Sequence, residues 1–188
     1  MADQVNGRQK ILAEEYDTYA HWRKYALTHG VNVDFSYGNQ CWDICCLLWL
    51  QYGLWLYTGP NRLAYECYAV SRDKNAVLPF SKVEKKKDIK KGDCLVFAPS
   101  GLNYTGHICF ADEDYNDTDI ISCLGQNQGQ GIKQGTPSNI KSLNLRSFMG
   151  GFRNKNWKIP EPLPIKNKPS EHRFPWAIYA RKFRSGNR

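Results

Sequence analysis

The sequence predicts an α+β fold, in which N-terminal helices pack on an antiparallel β-sheet. Apolar residues recur at helical spacing near the start of the chain, and an almost continuous apolar run follows from Cys41 to Tyr57. After Gly92 and Asp93 the pattern changes to short apolar segments of strand length, separated by turn residues. A chain of 188 residues fits one compact domain of ordinary size. We therefore expect residues 1–188 to form a single domain.

Two helices are predicted before the sheet. The first occupies residues 1–30, where apolar side chains recur at helical spacing and Gly30 follows as a stop; these side chains are Leu12, Tyr16, Tyr19 and Ala26. A short polar stretch, residues 31–40, leads to the apolar run that opens at Cys41. This run is predicted to be a central buried helix, which ends at the Thr-Gly-Pro sequence after Tyr57.

The predicted sheet lies in residues 92–183. Its strands are short apolar segments, namely Cys94–Ala98, His107–Ala111, Ile120–Leu124 and Trp176–Phe183. The basic run from Lys82 to Lys91 precedes this sheet and is predicted to be a solvated face or a loop.

Composition excludes several classes of protein. The seven cysteines are an odd number and several lie in apolar runs, which argues against a disulfide framework; no Cys-x-x-Cys pair is present, which argues against a structural zinc site. No apolar stretch approaches the roughly 18 residues of a membrane helix, and the polar start from Met1 to Lys10 lacks the apolar core of a signal peptide. We therefore expect a chain made in the cytoplasm, with neither a signal peptide nor a transmembrane segment.

The formal net charge of +8 favours polyanionic partners, which include nucleic acid, an anionic membrane surface and the phosphate-rich wall polymers of Gram-positive bacteria. Nucleic acid is disfavoured because the lysines concentrate in one run instead of alternating with aromatic residues along a groove. The charge by itself does not choose between a membrane and a wall.

Cys41, His107 and Asn127 are the candidate catalytic residues. The first turn of a helix favours a thiolate, because its free backbone N–H groups and its dipole stabilise negative charge, and Cys41 opens the predicted central helix. His107, in the strand YTGHICFA, is the candidate base, and Asn127, in CLGQNQG, could orient the imidazole. Taken alone, a helix-initial Cys more often serves packing and a strand His more often has a structural role.

These motifs together resemble CHAP domains, the cysteine, histidine-dependent amidohydrolases/peptidases. YGNQCWDICCLLW resembles the family's Gln-Cys-x-Asp motif at the start of the central helix, here Gln40, Cys41 and Asp43. KGDCLVFAPS resembles its Gly-Asp-initiated strand, YTGHICFA its Gly-His strand, LGQNQG its strand-end Gln-Asn and FPWAIYARKF its closing strand. The matches run from residue 30 to residue 183. The resemblance implies a papain-like, NlpC-like fold.

The resemblance also implies a mechanism. The thiolate of Cys41 would attack an amide carbonyl and His107 would protonate the leaving amine, while the Cys41 N–H and the Gln40 side-chain amide stabilise the oxyanion. A structural alternative for Gln40 is a loop residue bonded to backbone. The sequence departs from the family at Gly125, because many members carry a carboxylate two positions before the strand-end Asn. Asn127 is therefore expected to orient the imidazole alone.

The implied function is that of a phage peptidoglycan hydrolase, an endolysin or a tail-associated lysin that cuts an amide bond of the Gram-positive wall. That bond would lie in the stem or cross-bridge peptide, or would be the N-acetylmuramoyl-L-alanine amide. Trp42, Tyr37 and Tyr104 are expected to contact peptidoglycan, and teichoic acid or other virion proteins are further candidate partners. The protein would act at the wall, free or virion-associated. The alternative is a catalytically inactive CHAP-fold protein that binds the wall or serves as a structural protein of the virion.

A structural calcium ion is the second feature implied by the resemblance, because some wall-lytic CHAP domains bind Ca²⁺ just before the nucleophile. Side-chain oxygens would come from Asn32, Asp34 and Asp43, and backbone carbonyls from Ser36 and Gly38. Another interpretation remains open. Asn32 and Asp34 could make ordinary turn bonds, and Asp43 could act as a first-turn acid that complements the helix dipole.

Overall fold

The computed structural model describes residues 17–101, 103–128 and 137–158, and all of these belong to one compact unit. The predicted closing strand Trp176–Phe183 lies outside the described residues, as does the predicted helix before residue 17. The single domain expected for residues 1–188 therefore stays a prediction. No helix in the described ranges combines the length and apolar character that crossing a bilayer requires.

The helices of the described residues lie in the first half of the chain, apart from one short segment. They are α1 (Tyr19–Thr28), α2 (Cys41–Leu50), α3 (Glu66–Ala69), α4 (Arg72–Asn75) and the short 3₁₀ segments Lys86–Asp88 and Leu145–Ser147. Helix α1 begins after Thr18, whose hydroxyl accepts a hydrogen bond from the His21 N–H at 3.2 Å. It buries Tyr19, Trp22 and Ala26 on one face. The predicted N-terminal helix is thus confirmed where the chain is described.

Helix α2 is shorter than predicted, since it ends at Leu50 and not at Tyr57. The chain turns at Gly53, whose φ of +69° lies in the left-handed region that favours glycine. It then returns beside the helix, so that the Trp42 indole N–H donates to the Leu56 carbonyl at 3.1 Å. The continuous apolar run was misleading because both the buried helix and the returning segment pack in one core.

The described strands form one antiparallel six-stranded sheet in the order β1-β6-β2-β3-β4-β5. The strands are β1 (Phe80–Val83), β2 (Cys94–Phe97), β3 (His107–Ala111), β4 (Ile120–Gly125), β5 (Asn139–Asn144) and β6 (Phe148–Asn154). The predicted α+β class is confirmed, and β2, β3 and β4 fall where the apolar pattern predicted strands.

Three strands were missed, and the sheet begins before residue 92, contrary to the prediction. Strand β1 overlaps the lysine run and β5 carries mostly polar side chains, so neither shows a strong apolar alternation. Strand β6 contains Gly150 and Gly151, which usually weaken a strand pattern. Both glycines are required by packing, because a Cβ atom at Gly150 would collide with the Tyr68 ring and one at Gly151 with the Cys94 carbonyl.

Two apolar clusters lie on the two faces of the sheet. The larger joins α1 and α2 to inward side chains of the sheet, including Val96, Ile108 and Phe110. The smaller covers the opposite face and includes Cys109 and Ala111. All seven cysteines are buried and none forms a disulfide, as expected from their positions in apolar runs. Cys41, the first residue of α2, and Ile108, the second residue of β3, belong to the larger cluster.

Candidate active site

Cys41 is the first residue of α2 and is 8% exposed. Its sulfur is approached by the backbone N–H of Ile108, the residue that follows His107 at the start of β3. Burial raises the pKa of the Cys41 thiol to about 11, although the N–H groups of Ile108, Trp42 and Cys41 itself act in the opposite direction. The helix start was expected to lower the pKa of Cys41. The pKa is raised instead, because the cost of desolvating the thiolate exceeds the stabilisation by the backbone N–H groups.

His107 is oriented by Gln128, which was not among the predicted site residues. The His107 Nε2 lies 3.1 Å from Gln128 Oε1, and Gln128 is only 3% exposed. The Gln128 amide nitrogen faces acceptors only, namely the carbonyl oxygens of Cys123 (3.2 Å), Gly125 (3.2 Å) and Asn139 (2.9 Å) and Asn139 Oδ1 (3.2 Å). This surrounding fixes the amide orientation, so Oε1 must accept from an Nε2–H of the imidazole.

The tautomer fixed by Gln128 leaves the His107 Nδ1 lone pair free to accept a proton. Burial lowers the pKa of His107 below its ordinary value of 6.5, and the bond with Gln128 only partly opposes this shift. The imidazole is therefore neutral near pH 7. A neutral imidazole with one free lone pair can act as a general base.

The position of Gln128 depends on Gly125. A Cβ atom at Gly125 would lie 2.9 Å from the Cys109 Cβ and 3.1 Å from the Gln128 Cδ. No larger residue fits there without displacing one of them, and a carboxylate at this position is excluded by the same space. The glycine that departs from the CHAP pattern thus makes room for the side chain that holds the imidazole.

Asn127 was expected to orient the imidazole. In the structure its side chain bonds to Gln40 instead. Its side-chain Nδ2 donates to Gln40 Oε1 at 2.8 Å, and its φ of +51° turns the chain at the end of β4. Gln40 in turn donates from Nε2 to the Tyr37 carbonyl at 2.6 Å. The Gln40 side chain, the expected oxyanion donor, is therefore held on both sides.

Gln126 closes the loop of residues 31–40 from the end of the sheet; it belongs to the strand-end Gln-Asn motif but was not predicted to be a site residue. It is 1% exposed, and it bonds Val31 twice, accepting from the N–H at 2.7 Å and donating to the carbonyl at 2.9 Å. The same amide donates to the Gln40 carbonyl at 2.9 Å. Both ends of the loop before the nucleophile are thereby attached to the end of β4.

The loop contains the oxygen atoms expected to bind calcium. Asp43 is 1% exposed and accepts from the N–H groups of Val33 (2.8 Å) and Gln40 (2.7 Å). The pKa of Asp43 is raised to about 7, chiefly by burial and to a smaller extent by the nearby carboxylate of Asp34, although the N–H groups of Gln40 and Val33 act in the opposite direction. The Asn32 Oδ1 atom is buried without a hydrogen-bond partner. An orphaned amide oxygen and two mutually repelling carboxylates fit a hard cation.

Two other members of the expected calcium set, Asp34 and Ser36, bond to each other. Asp34 Oδ1 accepts from the Ser36 N–H at 2.9 Å, as in an ordinary turn, and Gly38 has a φ of +73°. Among the residues with described placement, no three His, Cys, Asp or Glu side chains form a metal-binding group. Asp34 of the loop and Asp43 of α2 offer two carboxylates, so the remaining ligands would be amide and carbonyl oxygens.

Several aromatic side chains are neighbours of the candidate catalytic residues along the chain or contact Trp42, the residue after Cys41. Tyr37 is 84% exposed and Tyr104, three residues before His107, is 75% exposed, so both are free to contact a ligand. Trp42 is half-buried and packs edge-to-face on Trp55, with ring centroids 5.2 Å apart. Trp55 is 40% exposed and was missed because the segment that carries it was predicted to be helical.

Comparison with known proteins adds evidence on the fold. No protein-family model matches the sequence, and no curated protein matches it. The crystal structure of the wild-type endolysin LysIME-EF1 is similar, with a TM-score of 0.59 and 21% identity over 73% of this chain and 64% of that chain. The aligned part thus spans less than two thirds of LysIME-EF1.

Two structures of Ly7917 are also similar, with TM-scores of 0.44 and 0.46 and 14% identity. They cover 63% and 73% of this chain, and 55% and 62% of theirs, and one contains the hydrolyzing product of MDP. The likeness to LysIME-EF1 establishes the fold, which is that of an endolysin structure, as the sequence motifs led us to expect. The narrower CHAP assignment stays a prediction.

Proposed function

We propose that this chain is a CHAP-type cysteine hydrolase that cuts an amide bond of bacterial peptidoglycan. One observation carries the proposal: the Cys41 sulfur lies against the first residues of β3, where the buried Gln128 amide orients His107 as a base. Helix-initial Cys and strand-initial His are the elements of a thiol hydrolase. The likeness to the endolysin LysIME-EF1 supports a wall substrate.

The raised pKa of Cys41 and the lowered pKa of His107 favour a resting pair in which both groups are neutral. His107 Nδ1 would take the thiol proton as the sulfur attacks the amide carbonyl, and would then give it to the leaving amine. The Cys41 N–H and the Gln40 side-chain amide would stabilise the oxyanion. Water, activated by the same imidazole, would hydrolyse the thioester.

Calcium belongs to the same proposal. Asn32, Asp34 and Asp43 would hold the ion with their side chains, while Ser36 and Gly38 would contribute carbonyl oxygens. A bound divalent cation supplies positive charge that neutralises the loop carboxylates and fixes their positions. The loop attached to Gln40 would thereby be ordered beside the nucleophile.

The substrate would be Gram-positive peptidoglycan, cut in the stem or cross-bridge or at the N-acetylmuramoyl-L-alanine amide. Tyr37, Trp42 and Tyr104 would contact it, together with Trp55, since exposed aromatic side chains supply large contact areas at low entropic cost. The net charge of +8 would add attraction to teichoic acid. The protein would act at the wall, either free or attached to a virion.

The test is a turbidity assay on purified Gram-positive walls, with mass spectrometry of the released fragments. We expect the wild type to lyse walls and Cys41→Ala to be inactive. Cys46→Ala is the matched control. Cys46 is a buried thiol of the same helix, but its sulfur is approached by the backbone N–H of Leu56 and not by that of Ile108.

The mass of the new fragment termini identifies the bond. Lysis by Cys41→Ala would exclude Cys41 as nucleophile. Sedimentation of the wild type with walls, without release of fragments, would instead support the inactive wall-binding alternative.

A further inference from the structure

The Gln40 carboxamide is the one flexible group in the proposed oxyanion site. A glutamine side chain has three rotatable bonds, so an unrestrained Gln40 would point its N–H groups toward the reacting carbonyl only part of the time. Oxyanion stabilisation depends on donors that are already in place when the charge develops. Any group that holds Gln40 therefore contributes to the rate without touching the substrate.

The hydrogen-bonding capacity of Gln40 is only partly used. Its Oε1 accepts from Asn127 Nδ2 at 2.8 Å, and its Nε2 donates one hydrogen to the Tyr37 carbonyl at 2.6 Å. A primary amide has two donor hydrogens, so one N–H of Gln40 is left for a ligand. Gln40 also forms a capping box with Asp43 at the start of α2, so these contacts together restrain the carboxamide.

The Asn127 side chain is well placed to act as a support because its backbone is fixed on both sides. Gln126 and Gln128 are 1% and 3% exposed and are bonded to the loop and to the imidazole, respectively. Asn127 lies between them with a φ of +51°, a conformation that Asn tolerates better than most residues. The turn directs its side chain away from His107 and toward Gln40.

We propose that Asn127 is a positioning residue that holds the Gln40 amide in the orientation needed to bind the oxyanion. This inference rests on the proposed function and replaces the role in orienting the imidazole that the sequence suggested for Asn127. The two residues after β4 then have different roles. Gln128 orients the base His107, and Asn127 orients the oxyanion donor Gln40.

The test uses Asn127→Gly, since glycine accepts the left-handed backbone and only the side chain is lost. The substrate is a soluble muropeptide that carries the bond identified by mass spectrometry, with calcium present throughout. Alkylation of Cys41 by iodoacetamide is measured in parallel, because that displacement forms no oxyanion. Asp117→Gly is the matched control, since Asp117 is exposed, has a φ of +61° and lies in the turn beyond the other end of β3.

We expect Asn127→Gly to lower kcat about tenfold with little change in KM, and Gln40→Ala to lower it about a hundredfold, the scale for loss of one oxyanion donor. The alkylation rate should stay at the wild-type value in Asn127→Gly. The double variant should be no slower than Gln40→Ala, because Asn127 acts through Gln40.

Wild-type kcat in Asn127→Gly, or an additive loss in the double variant, would overturn the inference. An equal fall in alkylation and kcat would also overturn it, because Asn127 would then support Cys41 or His107. Failure of the proposed function would look different. The wild type itself would then release no more fragments than Cys41→Ala does.

Discussion

The two sides of the candidate site are held in different ways. On the strand side, His107 and Gln128 lie at the ends of β3 and β4, and Gln128 is bonded to backbone carbonyls of neighbouring strands. On the loop side, residues 34–38 are mostly exposed and include left-handed backbone at Phe35 and Tyr37. The base is thus fixed by the sheet, whereas the loop is fixed mainly where it joins the sheet and α2.

This difference indicates where each function is vulnerable. Buried amides such as Gln126 and Gln128 cannot be removed without leaving carbonyl groups unpaired. Residues 34–38 are held by local bonds, and the Asp34 carboxylate repels that of Asp43 in α2, so the order of this segment should respond to ions and to pH. A substitution on the strand side should therefore change chemistry or stability, and one on the loop side should change the response to calcium.

The largest effect is expected from Gln128→Ala. The imidazole would lose the acceptor that fixes its tautomer, and kcat should fall on the order of a hundredfold or more, since a wrongly held base is very costly in comparable triads. The pH dependence of Cys41 alkylation should change as well. Gln126→Ala is the control, because it removes a buried amide of the same strand end that does not touch His107. Equal kcat losses in both variants would show that the bond from Gln128 to His107 has no special role in catalysis.

Calcium should have the next largest effect. Binding to the folded state alone would stabilise the protein by about 2.7 kcal/mol when free Ca²⁺ is a hundredfold above its dissociation constant. Thermal unfolding in Ca²⁺ and in EDTA should show a rise in Tm that Asp34→Ala abolishes. Asp117→Ala, which removes an exposed carboxylate outside the loop, should retain the full rise. An unchanged Tm in the wild type would exclude a calcium site in this loop.

Gln126→Ala should destabilise the fold by about 2 kcal/mol, because the Val31 and Gln40 carbonyls and the Val31 N–H would lose buried partners. The loss is measured by urea denaturation in the presence of calcium. Stabilisation by calcium should be weaker in this variant, since the loop would be attached at fewer points. A wild-type midpoint would show that Gln126 does not secure the loop.

The smallest effect is a pH dependence of stability that arises from His107. Burial lowers the pKa of His107 in the folded protein below the ordinary value of 6.5, so the unfolded chain binds more protons in mildly acidic solution. The stability due to the neutral imidazole is complete above about pH 6.5 and is lost as the pH falls toward the folded-state pKa. The loss amounts to about 1.4 kcal/mol for each pH unit that separates the pKa of the unfolded chain from that of the folded protein.

His107→Gln should remove this acid sensitivity. The difference in unfolding free energy between variant and wild type, measured from about pH 7.5 to about pH 5, isolates the His107 contribution because Asp43 titrates in both proteins. Parallel curves would mean that His107 is not buried in its neutral form.

Strong local patterns in the sequence were enough to predict much of this arrangement. The short apolar segments at β2, β3 and β4 were found because each is mainly apolar over a strand length and is bounded by turn residues. Strands β1, β5 and β6 could not be found in the same way. Their polar or glycine residues are accommodated by neighbours, as when Tyr68 occupies the space beside Gly150.

The sequence by itself determined the α+β class, the position of Cys41 at a helix start and the position of His107 at a strand start, because these depend on short-range apolar periodicity and on turn residues. Only the tertiary structure decided that burial raises the pKa of Cys41 and that Gln128 bonds His107 while Asn127 bonds Gln40. The physical reason is that desolvation and side-chain direction depend on the elements packed around a residue. The backbone is left-handed at Asn127, and the adjacent amides of Asn127 and Gln128 bond to different sides of the site.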